Sequence, residues 1–381
     1  MSAIDWTELD SARWHSENET PAPIRVISAD DAMNADTAYR LACEGTALLW
    51  TGDFHNARQL LQALGRRIDR KTPRPVDDPA EQFHLHRRAR SHRARVLGRL
   101  LVRLADDHSL ELRRAPDIRR ACTEAYGPPD GPRIIALTEL LGVLGAHQWR
   151  MTGVDIPALG ARIHPHYGVF SPVRGEYVDL VAHAPLPART GTAFDLGTGT
   201  GVLAAVLVRR GVDRIVATDN SSRALTCARD TVEQLELAHH VDIVGPALYP
   251  RGRADLIVCN PPWLPARPSS AVERGVYDPD SAMLRGFLKD LPAHLEPGGE
   301  GWLILSDLAE RLGLRSRADL MTGFDGAGLR VLDRIDTKPT HPRARDTSDA
   351  LHTARAAEIT SLWRLAPIGE HPGDESSTVR R

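Results

Sequence analysis

The sequence predicts a doubly wound α/β domain in the second half of the chain, preceded by a mainly helical domain. Apolar strand patterns alternate with helical patterns from Thr192 onward, which is typical of a parallel sheet with helices on both faces. A strand containing Asp195 also runs directly into a glycine-rich turn and a helix. Strands are predicted at 192–197, 214–220, 241–245, 254–260, 301–307, 329–336 and 358–365, and helices at 202–210, 222–236, 281–295 and 308–323.

These elements predict a seven-stranded, Rossmann-like domain over residues 166–366. The last two strands are expected to pair antiparallel at one edge, because no helical pattern separates them. Residues 1–165 have mainly helical patterns and are interpreted as a substrate-recruitment domain. Residues 367–381 are expected to form a disordered tail.

The glycine-rich turn predicts a nucleotide-like binding site. Glycine at 197, 199 and 201 allows a tight turn and a close approach of the backbone to a ligand, and a helix follows directly. Asp195 and Thr198 are candidate contacts in the same turn. The pattern differs from the dinucleotide fingerprint G-x-G-x-x-G, because glycine recurs at 201. A nicotinamide or flavin site and a purely structural turn remain alternatives.

A second acidic position follows the next predicted strand, at Asp219-Asn220. A carboxylate at this place can accept hydrogen bonds from both hydroxyls of a ribose. The structural alternative is an N-cap for the helix that begins near Ser222.

The most specific pattern is Asn260-Pro261-Pro262-Trp263, directly after a buried strand. Two prolines fix φ and donate no hydrogen bond, so backbone carbonyls and the Asn260 amide oxygen are left as acceptors beside an aromatic ring. Such a site suits a flat group that carries NH2, with Asn260 and the Pro261 carbonyl accepting its hydrogens and Trp263 stacking on its plane. The alternative is a Pro-Pro turn with Trp263 in the core.

These motifs together resemble the class I S-adenosylmethionine (SAM) dependent methyltransferases that carry N-P-P-[FYW], both the methyltransferase small domain and the release-factor glutamine methyltransferases. The resemblance implies SAM as the cofactor and Asn260, Pro261, Pro262 and Trp263 as the catalytic motif. It implies that the cofactor is bound by Asp195, Gly197, Thr198, Gly199, Gly201, Asp219, Asn220 and Asn260. Many relatives place an acid after the third strand to hold the adenine amine, and this chain has Gly245-Pro246 there.

The stretch Gly168-Val169-Phe170-Ser171 resembles a segment that precedes the SAM motif in ribosomal RNA guanine methyltransferases. By that likeness Phe170 and Ser171 border the cofactor or the target base. The alternative is a domain-joining loop with Phe170 in the core.

Basic residues cluster in the first half of the chain, since residues 58–120 carry 17 Lys and Arg against 8 acids. Leucines at 97, 100, 101 and 104 follow helical spacing, and Arg95, Arg99 and Arg103 recur on another face. An amphipathic helix over 86–104 is therefore predicted, with these arginines as candidate RNA contacts. A merely solvated basic face is the alternative.

Composition excludes several other classes. No apolar run approaches the length of a membrane span, and the start of the chain lacks a secretory pattern, so a cytoplasmic protein without membrane contact is expected. The four cysteines lack C-x-x-C spacing, and two histidine pairs lack further ligands around them, so no metal is predicted. The oligomeric state is not predicted.

Three functions follow. The favoured one is N-methylation of a planar NH2 group, an exocyclic amine of a base in ribosomal or transfer RNA. The second is N5-methylation of a glutamine side chain in a translation-related or ribosome-associated protein. The third is a non-catalytic module that binds SAM and RNA, although such a module has no use for an amine-orienting Asn260.

Overall fold

The computed structural model describes residues 3–4, 12–70, 76–173, 175–268, 272–339 and 345–369. The chain divides into two compact units after Met151. Most of the predicted tail 367–381 lies outside the described residues, and Pro367 still belongs to a strand. No helix of the described ranges combines the length and the apolar composition needed to cross a membrane.

The first unit is an α/β structure, so the prediction of a mainly helical domain is wrong. Its six-stranded sheet has the order β1-β3-β4-β5-β6-β2, and β3, β4 and β5 run parallel. The strands are β1 (Ala3–Ile4), β2 (Arg13–Trp14), β3 (Val26–Ala29), β4 (Ala47–Trp50), β5 (Leu100–Leu104) and β6 (Arg133–Ala136). The helices are α1 (Ala35–Cys43), α2 (Phe54–Asp69), α3 (Pro79–Leu97), α4 (Arg119–Tyr126) and α5 (Leu137–Thr152).

The predicted helix over 86–104 is a helix followed by a strand. Helix α3 ends at Leu97 with Gly98 as its C-cap, and Leu100–Leu104 form β5 between β4 and β6. The leucine spacing fits both one face of a helix and a strand that is buried on both faces of a sheet. The structure has the buried strand. Arg95 lies on α3, Arg99 in the turn and Arg103 within β5, so the three arginines do not share a helix face.

The second unit contains the predicted seven-stranded sheet, in the order β11-β10-β9-β12-β13-β15-β14. A small hairpin of β7 (Val154–Ile156) and β8 (Ala161–Ile163) precedes it. The sheet strands are β9 (Thr192–Leu196), β10 (Arg214–Thr218), β11 (Val241–Val244), β12 (Ala254–Cys259), β13 (Leu295–Ser306), β14 (Leu329–Thr337) and β15 (Thr360–Pro367). The helices are α6 (Glu176–His183), α7 (Val202–Arg209), α8 (Ser222–Gln234), α9 (Ala282–His294), α10 (Leu308–Arg311), α11 (Arg317–Gly326) and α12 (His352–Ala356).

Strand directions explain where a ligand can bind. Strands β9 to β13 are parallel, and β15 pairs antiparallel with both β13 and β14, which confirms the predicted antiparallel edge. One apolar cluster packs α6 and α7 on one face of the sheet, and another packs α9 and α11 on the other face. Because β10, β9 and β12 are neighbours, the residues that follow them meet at one edge.

The cysteines are free thiols, and three of the four are buried while Cys43 is exposed. Within the described ranges no group of three or more His, Cys, Asp or Glu side chains is placed to hold a metal ion.

Candidate methyl-transfer site

The turn after β9 depends on backbone conformations that favour glycine. Gly197, Gly199 and Gly201 have φ of 71°, 57° and 79°. The Thr198 amide donates to the Thr218 carbonyl at 2.8 Å, and the Gly201 amide donates to the Thr198 carbonyl at 2.9 Å. The turn is therefore fixed to the neighbouring strand before α7 begins.

Only one of the three glycines faces open space. A Cβ on Gly197 would lie 2.5 Å from Met283 Cε, and one on Gly201 would lie 3.2 Å from Ala228 Cα. A Cβ on Gly199 would meet only the Gly197 carbonyl oxygen, at 4.0 Å. The protein thus closes two sides of the turn, and Gly199 marks the side on which a ligand can approach.

Asp195 lies beneath the turn with only 1% of its surface exposed. Its Oδ2 accepts hydrogen bonds from Thr198 Oγ1 at 2.7 Å and from the Ala204 amide at 3.1 Å. Burial raises the pKa of this carboxyl to about 6, against the lowering effect of the two donors. Asp195 and the Thr198 hydroxyl therefore brace the turn against α7 from inside the protein.

Asp219 connects the turn to the start of α8. Its Oδ2 accepts from the Gly199 amide at 3.0 Å, and its Oδ1 accepts from the Ser221 amide at 2.8 Å. Each carboxylate oxygen has a further lone pair, so both can still accept a ribose hydroxyl. The N-cap of α8 is Ser221, and Asn220 between them is exposed.

The Asn260 motif begins where β12 ends. Trp263 Nε1 donates a hydrogen bond to Asn260 Oδ1 at 2.9 Å. The Trp263 ring is half-buried and packs against both apolar clusters of the sheet, while Pro261 is buried. Asn260, predicted to orient the amine, and Trp263, predicted to stack on the substrate, are thus hydrogen-bonded to each other.

The segment after this motif contains residues that sequence reasoning missed. The Leu264 amide donates a hydrogen bond to the Val276 carbonyl, and the Asp278 amide donates one to the Leu264 carbonyl at 2.9 Å. The buried Asp278 carboxylate accepts from the amides of Met283, at 3.0 Å, and Leu284, at 3.2 Å. It thereby fixes the start of α9 and the methionine beside Gly197. The acid-containing stretch before a helical pattern is a signal that could have identified Asp278 as a cap.

Phe170 and Ser171 lie in the loop before α6. A Cβ on Gly275 would be 2.7 Å from Phe170 Cβ, so the phenylalanine packs against the segment after the Asn260 motif. Val169 packs against Ala224 at the start of α8. The Ser171 hydroxyl is buried and makes no hydrogen bond to the described residues. Val169 and Phe170 thus contact segments that adjoin the predicted crevice.

Gly245 follows β11, at the place where many relatives have an acid for the adenine amine. A Cβ on Gly245 would lie 2.6 Å from the Asp219 carbonyl oxygen, so this place has no room for a side chain. The nearby Asp242 is already paired with Arg214 at 2.7 Å. The three arginines predicted to bind RNA belong to the first unit.

Comparisons with known proteins identify the class. Residues 160–313 match the family model described as methyltransferase small domain. Release factor glutamine methyltransferase of Cereibacter sphaeroides is 31% identical over 40% of this chain and 62% of its own length. Ribosomal protein L11 methyltransferase of Pelotomaculum thermopropionicum is 42% identical over 38% of this chain and 40% of its own length. The chain therefore spans less than two thirds of these curated relatives.

A solved structure, the ribosomal protein L11 methylase of Lactobacillus delbrueckii subsp. bulgaricus, aligns over 52% of this chain and 81% of its own, with 16% identity and a TM-score of 0.36.

The second unit is thus a class I methyltransferase domain. More particularly, residues 160–313 match the methyltransferase small domain, and the cofactor of such a domain is SAM. The residues present fit this cofactor, because an open glycine turn lies beside a carboxylate with free lone pairs. Gly199 and Asp219 would hold it, while Asp195 supports the turn from below.

Proposed function

We propose that this chain is a SAM-dependent N-methyltransferase whose acceptor is the side-chain amide of a glutamine in a translation-related protein. The observation that carries the proposal is the Asn260 amide oxygen, which is held by Trp263 at the end of β12, the strand beside β9 and its glycine turn. Both curated relatives described above are named for methylation of translation proteins. The RNA base favoured by the sequence alone therefore becomes the second candidate.

The chemistry needs an oriented nitrogen lone pair and no strong base. When bound, SAM would supply a methyl group on a sulfonium; the nitrogen lone pair would form the new bond to this methyl, S-adenosylhomocysteine would leave with the electrons of the broken carbon–sulfur bond, and the nitrogen would lose a proton to water. Asn260 Oδ1 keeps a lone pair beyond its bond to Trp263, and this lone pair can accept one N–H of the substrate. Accepting that hydrogen aims the nitrogen and stabilises the positive charge that grows on it.

The test is transfer of radiolabelled methyl from SAM to two substrate pools, a purified release factor and fractionated ribosomal and transfer RNA. We expect label in the protein and, after digestion, in N5-methylglutamine. Asn260→Ala should lower turnover at least about tenfold and leave SAM affinity nearly intact, because the hydrogen bond that it removes strengthens in the transition state. Equal turnover would make Asn260 structural, and absence of label in both pools would contradict the proposed activity.

One observation keeps an RNA base as the second candidate. Helix α3 contains five arginines and three histidines against one glutamate, and Arg88 and Arg95 are exposed. Such a helix attracts phosphates. Recruitment of the substrate by the first unit thus remains a proposal for both functions, through RNA or through an acidic protein surface.

The RNA candidate predicts salt-dependent binding that depends on α3. Replacing Arg88 and Arg95 with glutamine should reduce the slope of log affinity against log salt, by about 0.7 for each phosphate of a single strand that these arginines neutralise. The control is the same change at Arg119 and Arg120, which pair with Asp117 and Glu124. Binding to RNA that is independent of salt would remove this candidate.

A further inference from the structure

The bond between Trp263 and Asn260 determines which way the Asn260 amide faces. An indole N–H can only donate, so the atom 2.9 Å from Trp263 Nε1 must be the amide oxygen and not the amide nitrogen. An asparagine amide otherwise has two orientations of similar shape, related by a half-turn that exchanges acceptor and donor. In the reversed orientation Asn260 would present N–H groups to the substrate NH2.

We propose that Trp263 is a positioning residue, which acts on the reaction through Asn260 and not as a stacking surface for the substrate. The proposal rests on the methyl-transfer function given above. It differs from the expectation for an aromatic residue in this motif, because a phenylalanine ring could stack equally well but could not hold the amide. The indole nitrogen is therefore the functional atom of Trp263.

The surroundings of Trp263 explain how it can serve as a fixed donor. Its ring packs against both apolar clusters of the sheet, which restricts its rotamer. The two residues between donor and acceptor are prolines, so two of the intervening φ angles are fixed near −65°. The backbone between Asn260 and Trp263 is thus rigid, and the indole N–H stays in position to hold the Asn260 amide.

The kinetic test compares Trp263→Phe with the wild type on the methylated pool identified above. Trp263→Phe keeps an aromatic ring and removes the donor, so we expect kcat to fall about two- to tenfold with little change in the KM for SAM, the effect of one ordinary hydrogen bond. In an Asn260→Ala background the same change should have no further effect on kcat. Independent, multiplying effects of the two changes would overturn the proposal, and so would full activity of Trp263→Phe.

A matched control is Trp302→Phe. Trp302 Nε1 donates to Glu300 Oε2 at 3.0 Å, so this variant also loses a bond from an indole, and Arg364 still satisfies the glutamate. Per folded molecule its kcat should equal that of the wild type. A drop equal to that of Trp263→Phe would show that loss of any buried indole bond lowers activity, and would overturn the specific role of Trp263.

A second measurement needs no substrate or cofactor. The chain has seven tryptophans, and their indole N–H signals can be followed by ¹H–¹⁵N NMR, with the Trp263 signal assigned by its loss in Trp263→Phe. Exchange of this proton with water should accelerate at least severalfold in Asn260→Ala and stay slow in Asn260→Asp, which keeps an acceptor oxygen. Equal exchange in the wild type and Asn260→Ala would overturn the inference whatever the activity. Intact NMR behaviour without any methyl transfer would instead contradict the proposed function.

Discussion

The two α/β units differ in the partners of the acids near the ends of their parallel strands. In the first unit, Asp31 follows β3 and pairs with Arg113, and Asp53 follows β4 and pairs with Arg114 at 2.6 Å. A Cβ on Gly52 would lie 2.6 Å from Asp31 Oδ1. Arg113 and Arg114 thus each bind one carboxylate oxygen after β3 and β4, while the other oxygen accepts a backbone amide.

In the second unit the acids are Asp195, within β9, and Asp219, after β10, and the donors to them in the described residues are amides and a hydroxyl without an arginine. Asp195 is bonded to Thr198 and the amide of Ala204, and Asp219 is bonded to the amides of Gly199 and Ser221. Amides at a glycine turn take up little space and leave lone pairs free. The comparison shows that the acids of both units accept backbone amides, and that those after β3 and β4 also bind arginines, so we call the ends of β3 and β4 the closed edge.

The pKa values of the acids show the same contrast. Arg114, with the amides of His55 and Asn56, lowers the pKa of Asp53 to about 2, while burial without a cation raises that of Asp195 to about 6. The following predictions test the contrast, from the largest expected effect to the smallest.

Removing the charge of Asp195 should change how stability depends on pH. A carboxyl whose pKa is raised in the folded state contributes stability below about pH 4 that is lost as pH rises through about 6, and two pKa units correspond to about 3 kcal/mol. The difference in unfolding free energy between Asp195→Asn and the wild type should therefore move in favour of the variant between pH 4 and 7. Urea unfolding at several pH values measures it. A difference that is constant with pH would contradict the assigned pKa.

Removing the carboxylate of Asp219 should weaken SAM binding by about 1.5 to 3 kcal/mol, roughly 10- to 150-fold in Kd, the range for hydrogen bonds to a charged group. Calorimetry with SAM is the measurement. Asp219→Asn keeps one oxygen, so its affinity for SAM should lie between those of the wild type and Asp219→Ala. Asp53→Ala is the control from the closed edge and should bind SAM like the wild type. Unchanged affinity in Asp219→Ala, or preferential binding of NAD by the wild type, would remove the assigned cofactor role.

The smallest effect on stability is expected from loss of the ion pair between Arg114 and Asp53 in the first unit. The lowered pKa of Asp53 contributes stability above about pH 4 that is lost as pH falls toward 2, and Arg114 is its largest cause. Arg114→Gln should move the acid-unfolding midpoint of the first unit to higher pH, with SAM affinity unchanged. Circular dichroism during acid titration measures this shift. The control is Arg120→Gln, whose partner is Glu124, and an equal shift in both variants would mean that general charge loss is responsible.

The second unit could be predicted closely because its signals are local. Predicted strands 192–197 and 254–260 correspond to β9 and β12, since each is an apolar run bounded by turn residues. Residues 86–104 could not be assigned in this way, because spacing alone does not distinguish a buried strand from a helix face. The predicted helix over 308–323 is likewise two helices, α10 and α11, with the second begun by a capping box at Ser316.

The site was predictable where its residues are close in sequence. Asp195 directly precedes the glycine turn, and Asp219 and Asn260 follow β10 and β12, the strands on either side of β9. The contact of Phe170 with Gly275 depends on packing between segments far apart in the chain, and no local pattern encodes it. The orientation of the Asn260 amide depends on an interatomic distance, which spacing does not supply.

The position of β15 has a consequence for the order of synthesis. Strand β15 lies between β13 and β14, and it pairs with both. During translation, β13 and β14 emerge from the ribosome before the strand that joins them, so both expose unpaired backbone until β15 has been made. The strands that form the glycine turn and the Asn260 motif can pair earlier, yet the domain cannot close its sheet until Thr360–Pro367 has emerged. Nascent chains that stall before this segment are therefore expected to aggregate through these edges.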